Sequence, residues 1–280
     1  MLTLGAGAVI APLVGCAEGS TPTAAASSTA PGSADAGSTS AGTAAGGSAG
    51  TAGTGSASTT STASAAGSSG ATLSAASHPA GADITHGPRS RKAVALTFHG
   101  AGDVTILRRM LAEFADAKAK ITVLAIGQWL ATDPEVAKLV LDGGHDLGNH
   151  TWSHRTMPRL TAAQSKVEIA RAAAELRTLT GGPGSWFRPS GTPHSTPTIR
   201  AAAVAAGYGA CLGYDVDPLD YTDPGPDAVV RAFSAAVKPG SIVSLHLGHP
   251  GTLAAMPRLL TVLHDRGLAA VTASDLLGIR

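Results

Sequence analysis

The chain has 280 residues, of which 44% are hydrophobic and 14% are charged, and its formal net charge is +1. This balance argues against a basic nucleic-acid-binding protein and against an acidic solvating tail. Two cysteines are too few for a disulfide scaffold or a four-thiolate zinc site. No apolar run reaches the roughly 18 residues that a membrane span requires, which argues against a multi-pass membrane protein.

The first 82 residues differ in composition from the rest. Residues 1–15 form a short apolar segment typical of a signal peptide. Leu13–Cys16 resembles the lipobox of bacterial lipoproteins, so we expect lipidation at Cys16 and an extracytoplasmic chain that is anchored to the membrane, or otherwise secreted. Residues 16–82 are almost entirely Ala, Gly, Ser and Thr, without Phe, Trp, Tyr, Lys or Arg. Such a segment buries too little apolar surface to fold, which predicts a disordered linker.

Residues 83–280 alternate short apolar runs with amphipathic segments. Strands are predicted at 93–98, 120–126, 145–148, 185–188, 208–215, 241–246 and 268–272, and helices at 104–117, 134–143, 161–179, 196–206, 226–237 and 252–265. This alternation indicates an α/β fold with a parallel sheet and outer helices, most simply an incomplete (β/α) barrel. An open doubly wound sheet is the alternative, but no dinucleotide fingerprint follows the first strand.

Ionisable residues follow five of the seven predicted strands, at the ends where barrel active sites lie. They are His99, Asp103, His150, His154, Arg188, Asp215, Asp217, Asp220, His246 and His249. His150 and His154 are four residues apart, so both rings can reach one divalent ion if their loop forms a helical turn.

Several motifs occur in an order that resembles the polysaccharide deacetylase family, the NodB-homology type of carbohydrate esterase family 4. They are the stretch 121–154 with its HTWSH sequence, then WFRP at 186–189, DPLDY at 217–221 and IVSLH at 242–246. The resemblance covers about 91–279 and implies a distorted (β/α)₇ barrel. It also implies one divalent ion, zinc first and cobalt or nickel as substitutes, and a polysaccharide substrate such as peptidoglycan or a chitin-like glycan. We expect a monomer that binds no nucleic acid.

The resemblance also assigns roles to individual residues. His150 and His154 would be metal ligands, His246 the general acid, Asp220 the group that orients it, and Arg188 the residue that tunes the base. The residues expected to contact the substrate are Gly191, through a backbone N–H at the oxyanion, Tyr221 and Trp152.

The first family motif is altered in this chain. The family has Thr-Phe-Asp-Asp-Gly-Pro, whose two acids are base and metal ligand, whereas residues 97–103 read TFHGAGD. Without a gap, His99 stands at the base position and Gly100 at the ligand position. Either Asp103 turns back to the metal and His99 is the base, which we favour, or His99 is the third ligand and Asp103 the base. In addition, Ser244 stands where leucine usually precedes the general acid, which predicts an altered pocket for the acetyl methyl group.

These features predict a metal-dependent hydrolase that removes N- or O-acetyl groups from a cell-wall or extracellular polysaccharide. The alternative is a catalytically inactive carbohydrate-binding lipoprotein on the same fold, in which neither arrangement of the first motif works.

Overall fold

The computed structural model describes residues 83–279. Its strands are β1 (Asp83–Ile84), β2 (Ala93–Gly100), β3 (Thr122–Ala125), β4 (Asp146–Asn149), β5 (Cys211–Leu212), β6 (Ile242–His246) and β7 (Ala269–Val271). Its helices are α1 (Val104–Asp116), α2 (Gly127–Thr132), α3 (Glu135–Asp142), α4 (Ala162–Thr180), α5 (Pro197–Ala205), α6 (Pro226–Ala236), α7 (Pro250–Asp265) and α8 (Ala273–Leu277). None of these helices is both long and apolar enough to cross a membrane. The predicted signal peptide, Cys16 and the linker lie outside the described residues.

The strands are parallel and are arranged around β2. On one side β2 pairs with β6, and on the other it pairs with β7 through its first residues and with β3 through its last. The sheet continues from β3 to β4, and single bridges then carry it through Phe187 to Cys211 in β5. On the remaining side, the only link to β6 among these bridges is the one from Val216 to Val243. The barrel is thus joined on this side by isolated bridges and not by a regular strand pair. The prediction of an incomplete (β/α) barrel is therefore confirmed.

The strands on the closing side are shorter than predicted. The predicted strand 185–188 is a single bridge at Phe187, and 208–215 contains only the two residues of β5. Glycines at 207, 209 and 213 and the proline at 189 disfavour regular pairing in these segments. The helices α2 and α8 were not predicted, because six and five residues are too few to show a helical period.

The alternation of β2 decides which side chains face the inside of the barrel. Its Val94, Leu96 and Phe98 pack in the large cluster that the helices cover, while Ala93 and Ala95 belong to a smaller cluster with residues of β3, β5 and β6. His99 lies on the same face as Ala95, since successive side chains of a strand point to opposite sides. Its partner in the β2–β6 register is His246. The sheet therefore brings two predicted catalytic histidines together at the carboxyl end of the barrel.

Candidate active site

A cavity of about 340 Å³ opens at this end of the barrel. The predicted site residues that line it are His99, His150, His154, Arg188, Gly191, Tyr221 and His246. They come from five different strand ends, so the expectation that these segments converge is confirmed. Asp103, Asp220 and Trp152 are not among the lining residues.

His246 and Asp220 form a buried hydrogen-bonded pair at the cavity wall. Asp220 Oδ1 accepts a hydrogen bond from His246 Nδ1 at 2.8 Å, and Asp220 Oδ2 accepts from the His246 backbone N–H at 2.8 Å. The Thr252 hydroxyl donates to the same Oδ2 at 2.7 Å, and the carboxylate has no solvent exposure. These contacts fix the ring of His246 and leave its Nε2 as the nitrogen available for proton transfer.

His99 and His150 form a second pair of rings. The Nδ1 atom of His99 lies 3.1 Å from Nε2 of His150, and the ring of His99 also lies 4.0 Å from that of His246, centroid to centroid. His150 Nδ1 donates to the backbone carbonyl of Arg188 at 3.0 Å, so its Nε2 carries a lone pair. Burial, and secondarily the neighbouring imidazoles and Arg188, hold the pKa of both His99 and His150 well below the ordinary histidine value. Both rings are therefore neutral at pH 7.

The loop that carries His150 and His154 is held in a strained conformation. Thr151 has φ 70°, a region that β-branched residues rarely occupy, and His154 also has a positive φ of 56°. Glu168 of α4 stabilises the loop, because its carboxylate accepts from the backbone N–H groups of Trp152 and Ser153 at 3.1 and 2.9 Å. This role could not be predicted from the sequence, since Glu168 reaches the loop only once α4 has packed. The ring of His154 lies 5.0 Å from that of His150.

Asp103 lies outside this cluster. Its exposed carboxylate is the N-cap of α1 and accepts from the Thr105 backbone N–H at 2.6 Å, a contact that lowers its pKa. The preceding Gly102 packs against the loop that follows β6, so closely that a Cβ atom at position 102 would lie 2.7 Å from the backbone nitrogen of Gly248. The structure therefore does not bring Asp103 to the histidines, and the arrangement favoured from sequence is not the one formed here.

Arg188 is almost fully buried, at 1% exposure, and its guanidinium makes no hydrogen bond to a carboxylate of residues 83–279. Its Nε and Nη2 atoms donate to the carbonyls of Leu212 and Gly213 at 2.7 and 2.9 Å, and Nη1 has no hydrogen-bond partner within the described residues. Burial lowers the pKa of its guanidinium to about 9. In place of tuning an acidic base, Arg188 positions His150 through its carbonyl and places a cation beside the two neutral rings.

The two aromatic side chains predicted to contact sugar separate in the structure. Tyr221 stands at the cavity with its ring 4.9 Å from that of His246 and its side chain half exposed. Trp152 instead packs against α2, and the guanidinium of Arg171 covers it at 3.8 Å from the ring centroid. Tyr221 is therefore placed to contact a ligand in this cavity, and Trp152 packs against the neighbouring helices.

The donor types in the cavity fit a divalent ion, although they are not the family's set. Within residues 83–279 no three or more His, Cys, Asp or Glu side chains are already assembled as a metal site. His99 and His150 nevertheless present two ring nitrogens 3.1 Å apart, and His154 stands next to them. Neutral imidazole nitrogens are good ligands for zinc, cobalt and nickel. An ion here would be held by these three rings, and binding would have to draw His154 towards the other two.

Gly100 occupies the position of the family's ligand carboxylate in a backbone conformation that other residues rarely adopt, with φ 107° and open space around its Cα. We expect Gly100→Ala to lower the free energy of unfolding by about 1–2 kcal/mol through backbone strain alone. Gly209→Ala is the matched control, since it also has open space but no positive φ, and it should be neutral or slightly stabilising. Urea unfolding of both variants measures the difference, and equal stabilities would contradict the assigned strain.

Sequence comparison with known proteins identifies the family of this chain. A family model described as polysaccharide deacetylase matches residues 86–211. The chain is 30% identical over 194 residues to a peptidoglycan-N-acetylglucosamine deacetylase of Bacillus cereus, an alignment that covers 68% of this chain and 90% of that protein. The chain belongs to the polysaccharide deacetylase family. It is thus a member of a family of hydrolases that act on the N-acetyl groups of polysaccharides.

Other members of the polysaccharide deacetylase family are also similar. A chitooligosaccharide deacetylase of Sinorhizobium fredii is 29% identical over 196 residues, which cover 62% of this chain and 86% of that protein. Among solved structures, a CE4 family pseudoenzyme from Bacillus anthracis has a TM-score of 0.66 at 25% sequence identity. The superposition covers 71% of this chain and 69% of the pseudoenzyme chain. A mutant of that protein is described as having restored enzymatic activity.

Proposed function

We propose that this polysaccharide deacetylase hydrolyses the acetamido group of a cell-wall glycan and depends on a divalent ion held by His99, His150 and His154. One observation carries the proposal: His246, whose ring is hydrogen-bonded to Asp220 behind it, lines the same cavity as the three imidazoles. A binding protein has no need of a histidine whose orientation a buried carboxylate fixes.

The residues divide the chemistry between them. His246 donates a proton from Nε2 to the leaving amine, and Asp220 keeps its ring oriented and stabilises the cationic form. Three neutral imidazoles would hold a divalent ion without cancelling its charge, and the ion would supply polarisation of the acetyl carbonyl and activation of a water. A separate carboxylate base is then not required, so the replacement of both acids of the first motif is chemically consistent.

The names of the relatives support the proposed substrate, and the predicted signal peptide and Cys16 support the proposed location. The similar proteins are named for peptidoglycan N-acetylglucosamine and for chitooligosaccharides, so the proposed substrate is a β-linked glycan with N-acetylglucosamine units. Tyr221 would lie against a sugar ring at the cavity mouth. Acylation of Cys16 and a linker over 16–82 would let the domain reach the wall from the membrane, about 45 Å away for a flexible coil of that length.

The test is acetate release by the full chain, loaded with zinc, cobalt or nickel in turn. Peptidoglycan and chitin oligosaccharides should release acetate, and a chelator should stop the release until metal is restored. Acetylated xylan serves as the O-acetyl comparison, and release from xylan alone would reassign the enzyme as an esterase. No release from any substrate, with metal bound, would contradict the proposal.

A second candidate function is glycan binding without hydrolysis. None of the three proposed ligands, His99, His150 and His154, is a carboxylate, which favours this candidate, as does the likeness to the Bacillus anthracis pseudoenzyme. In that case the chain would co-sediment with insoluble peptidoglycan or chitin and release no acetate.

A further inference from the structure

Two departures from the family pattern are in direct contact. His99 replaces the first acid of the first motif, and Ser244 replaces the leucine that usually stands before the general acid. The Ser244 hydroxyl lies 2.9 Å from Nε2 of His99. A leucine at 244 would leave this ring nitrogen without a hydrogen-bond partner in a buried site, which is unfavourable.

The sheet register explains why this contact forms. Thr97 lies opposite Ser244, and His99 lies opposite His246, so Ser244 is the diagonal neighbour of His99 on the same face. Both side chains are buried, with His99 at 8% exposure and Ser244 at 1%. The hydroxyl of Ser244 has no hydrogen-bond partner other than His99 in the described part of the chain.

The opposite nitrogen of His99 sets the requirement on this hydroxyl. Because His150 Nδ1 donates to a carbonyl, His150 Nε2 is an acceptor, and His99 Nδ1 must carry a hydrogen to bond with it. Ser244 then donates to His99 Nε2. If an ion takes the lone pairs of both rings, the hydrogen of His99 must be on Nε2, and Ser244 must accept it. A hydroxyl can do either, whereas alanine or leucine can do neither.

We propose that Ser244 is a positioning residue whose hydroxyl can bond to Nε2 of His99 in either tautomer, as donor or as acceptor, and that it thereby allows Nδ1 of His99 to become a ligand for a divalent ion. The proposal rests on the metal dependence in the proposed function, and it assigns to Ser244 a role that the family's leucine cannot have. Partners of this kind typically contribute 10–100-fold to metal affinity.

The test compares the full chain with its Ser244→Ala, Ser244→Thr and Ser165→Ala variants. Ser165 is the control because its hydroxyl is also buried, has no hydrogen-bond partner in the described residues and lies in α4, away from the cavity. Zinc affinity is measured by competition with a chromophoric chelator. We expect Ser244→Ala to weaken zinc binding by about 10-fold or more, whereas threonine, which keeps the hydroxyl, and the Ser165→Ala control stay close to wild type.

A second readout follows the tautomer itself. In protein labelled with ¹⁵N-histidine, the His99 signals, assigned through His99→Gln, should show hydrogen on Nδ1 without zinc and on Nε2 with zinc. Equal zinc affinity of wild type and Ser244→Ala, or a hydrogen that stays on Nδ1 in the zinc-bound protein, overturns the role of Ser244 and leaves the proposed function intact. Failure of the wild type to bind any zinc overturns both, so the two failures are distinguishable. Thermal unfolding of each variant confirms that a loss of affinity is not a loss of fold.

Discussion

His246→Ala is expected to lower kcat by about 10²- to 10⁴-fold on the polysaccharide that releases acetate, because it removes the proton donor to the leaving amine. The metal content should not change, since His246 is hydrogen-bonded to Asp220 and is not one of the three proposed ligands. Asp220→Asn should also lower kcat, by a smaller factor, because the amide keeps the volume but loses the charge that stabilises the protonated ring. Steady-state kinetics and elemental analysis of the same samples measure both quantities.

The chain offers a matched control for this experiment. His249 and Asp223 form another His–Asp pair, at 2.9 Å, and the ring of His249 lies 6.1 Å from that of His246. This second pair is more exposed, and neither residue lines the cavity. His249→Ala should therefore retain nearly all activity. A similar loss in both histidine variants would indicate a general electrostatic effect, and an unchanged kcat in His246→Ala would remove this residue from the mechanism.

The parts of the site that follow from alternation and strand order were predictable. Apolar runs alternating with amphipathic segments are enough to place His99, His150, Arg188 and His246 at carboxyl ends of parallel strands, and such ends meet at one face of a barrel. Helix α1 was predicted to begin at Val104, and it does. The fold and these four site residues could therefore be predicted from short stretches of sequence.

The path of the first loop was harder to predict from sequence. Gly100 and Gly102 permit many conformations, so the sequence does not say where Asp103 points. One signal was present: an aspartate directly before the first residue of a predicted helix is a preferred N-cap. The contact between His99 and Ser244 could not be read in the same way, because 145 residues separate them and only the β2–β6 register brings them together.

The other large effect is expected at the proposed metal site, where His99→Gln and Asp103→Ala should behave in opposite ways. His99→Gln removes a ring nitrogen from the proposed ligands and should weaken zinc binding by at least about 100-fold, beyond the range that outer partners contribute. Asp103→Ala should retain about one zinc per chain and lower the free energy of unfolding by about 1 kcal/mol, because it removes a helix N-cap. Dialysis with elemental analysis, together with urea unfolding, measures both.

The reverse outcome has a definite structural meaning. Loss of zinc in Asp103→Ala, with retention in His99→Gln, would show that metal binding pulls Asp103 out of its capping position. Losing the cap costs only about 1 kcal/mol, which is small beside the roughly 10–16 kcal/mol that structural zinc provides in small domains. The main obstacle is therefore the close packing of Gly102 on Gly248, which the loop would have to break. His99 needs no backbone movement to offer its nitrogen, and this difference is the reason that we expect it, and not Asp103, to hold the ion.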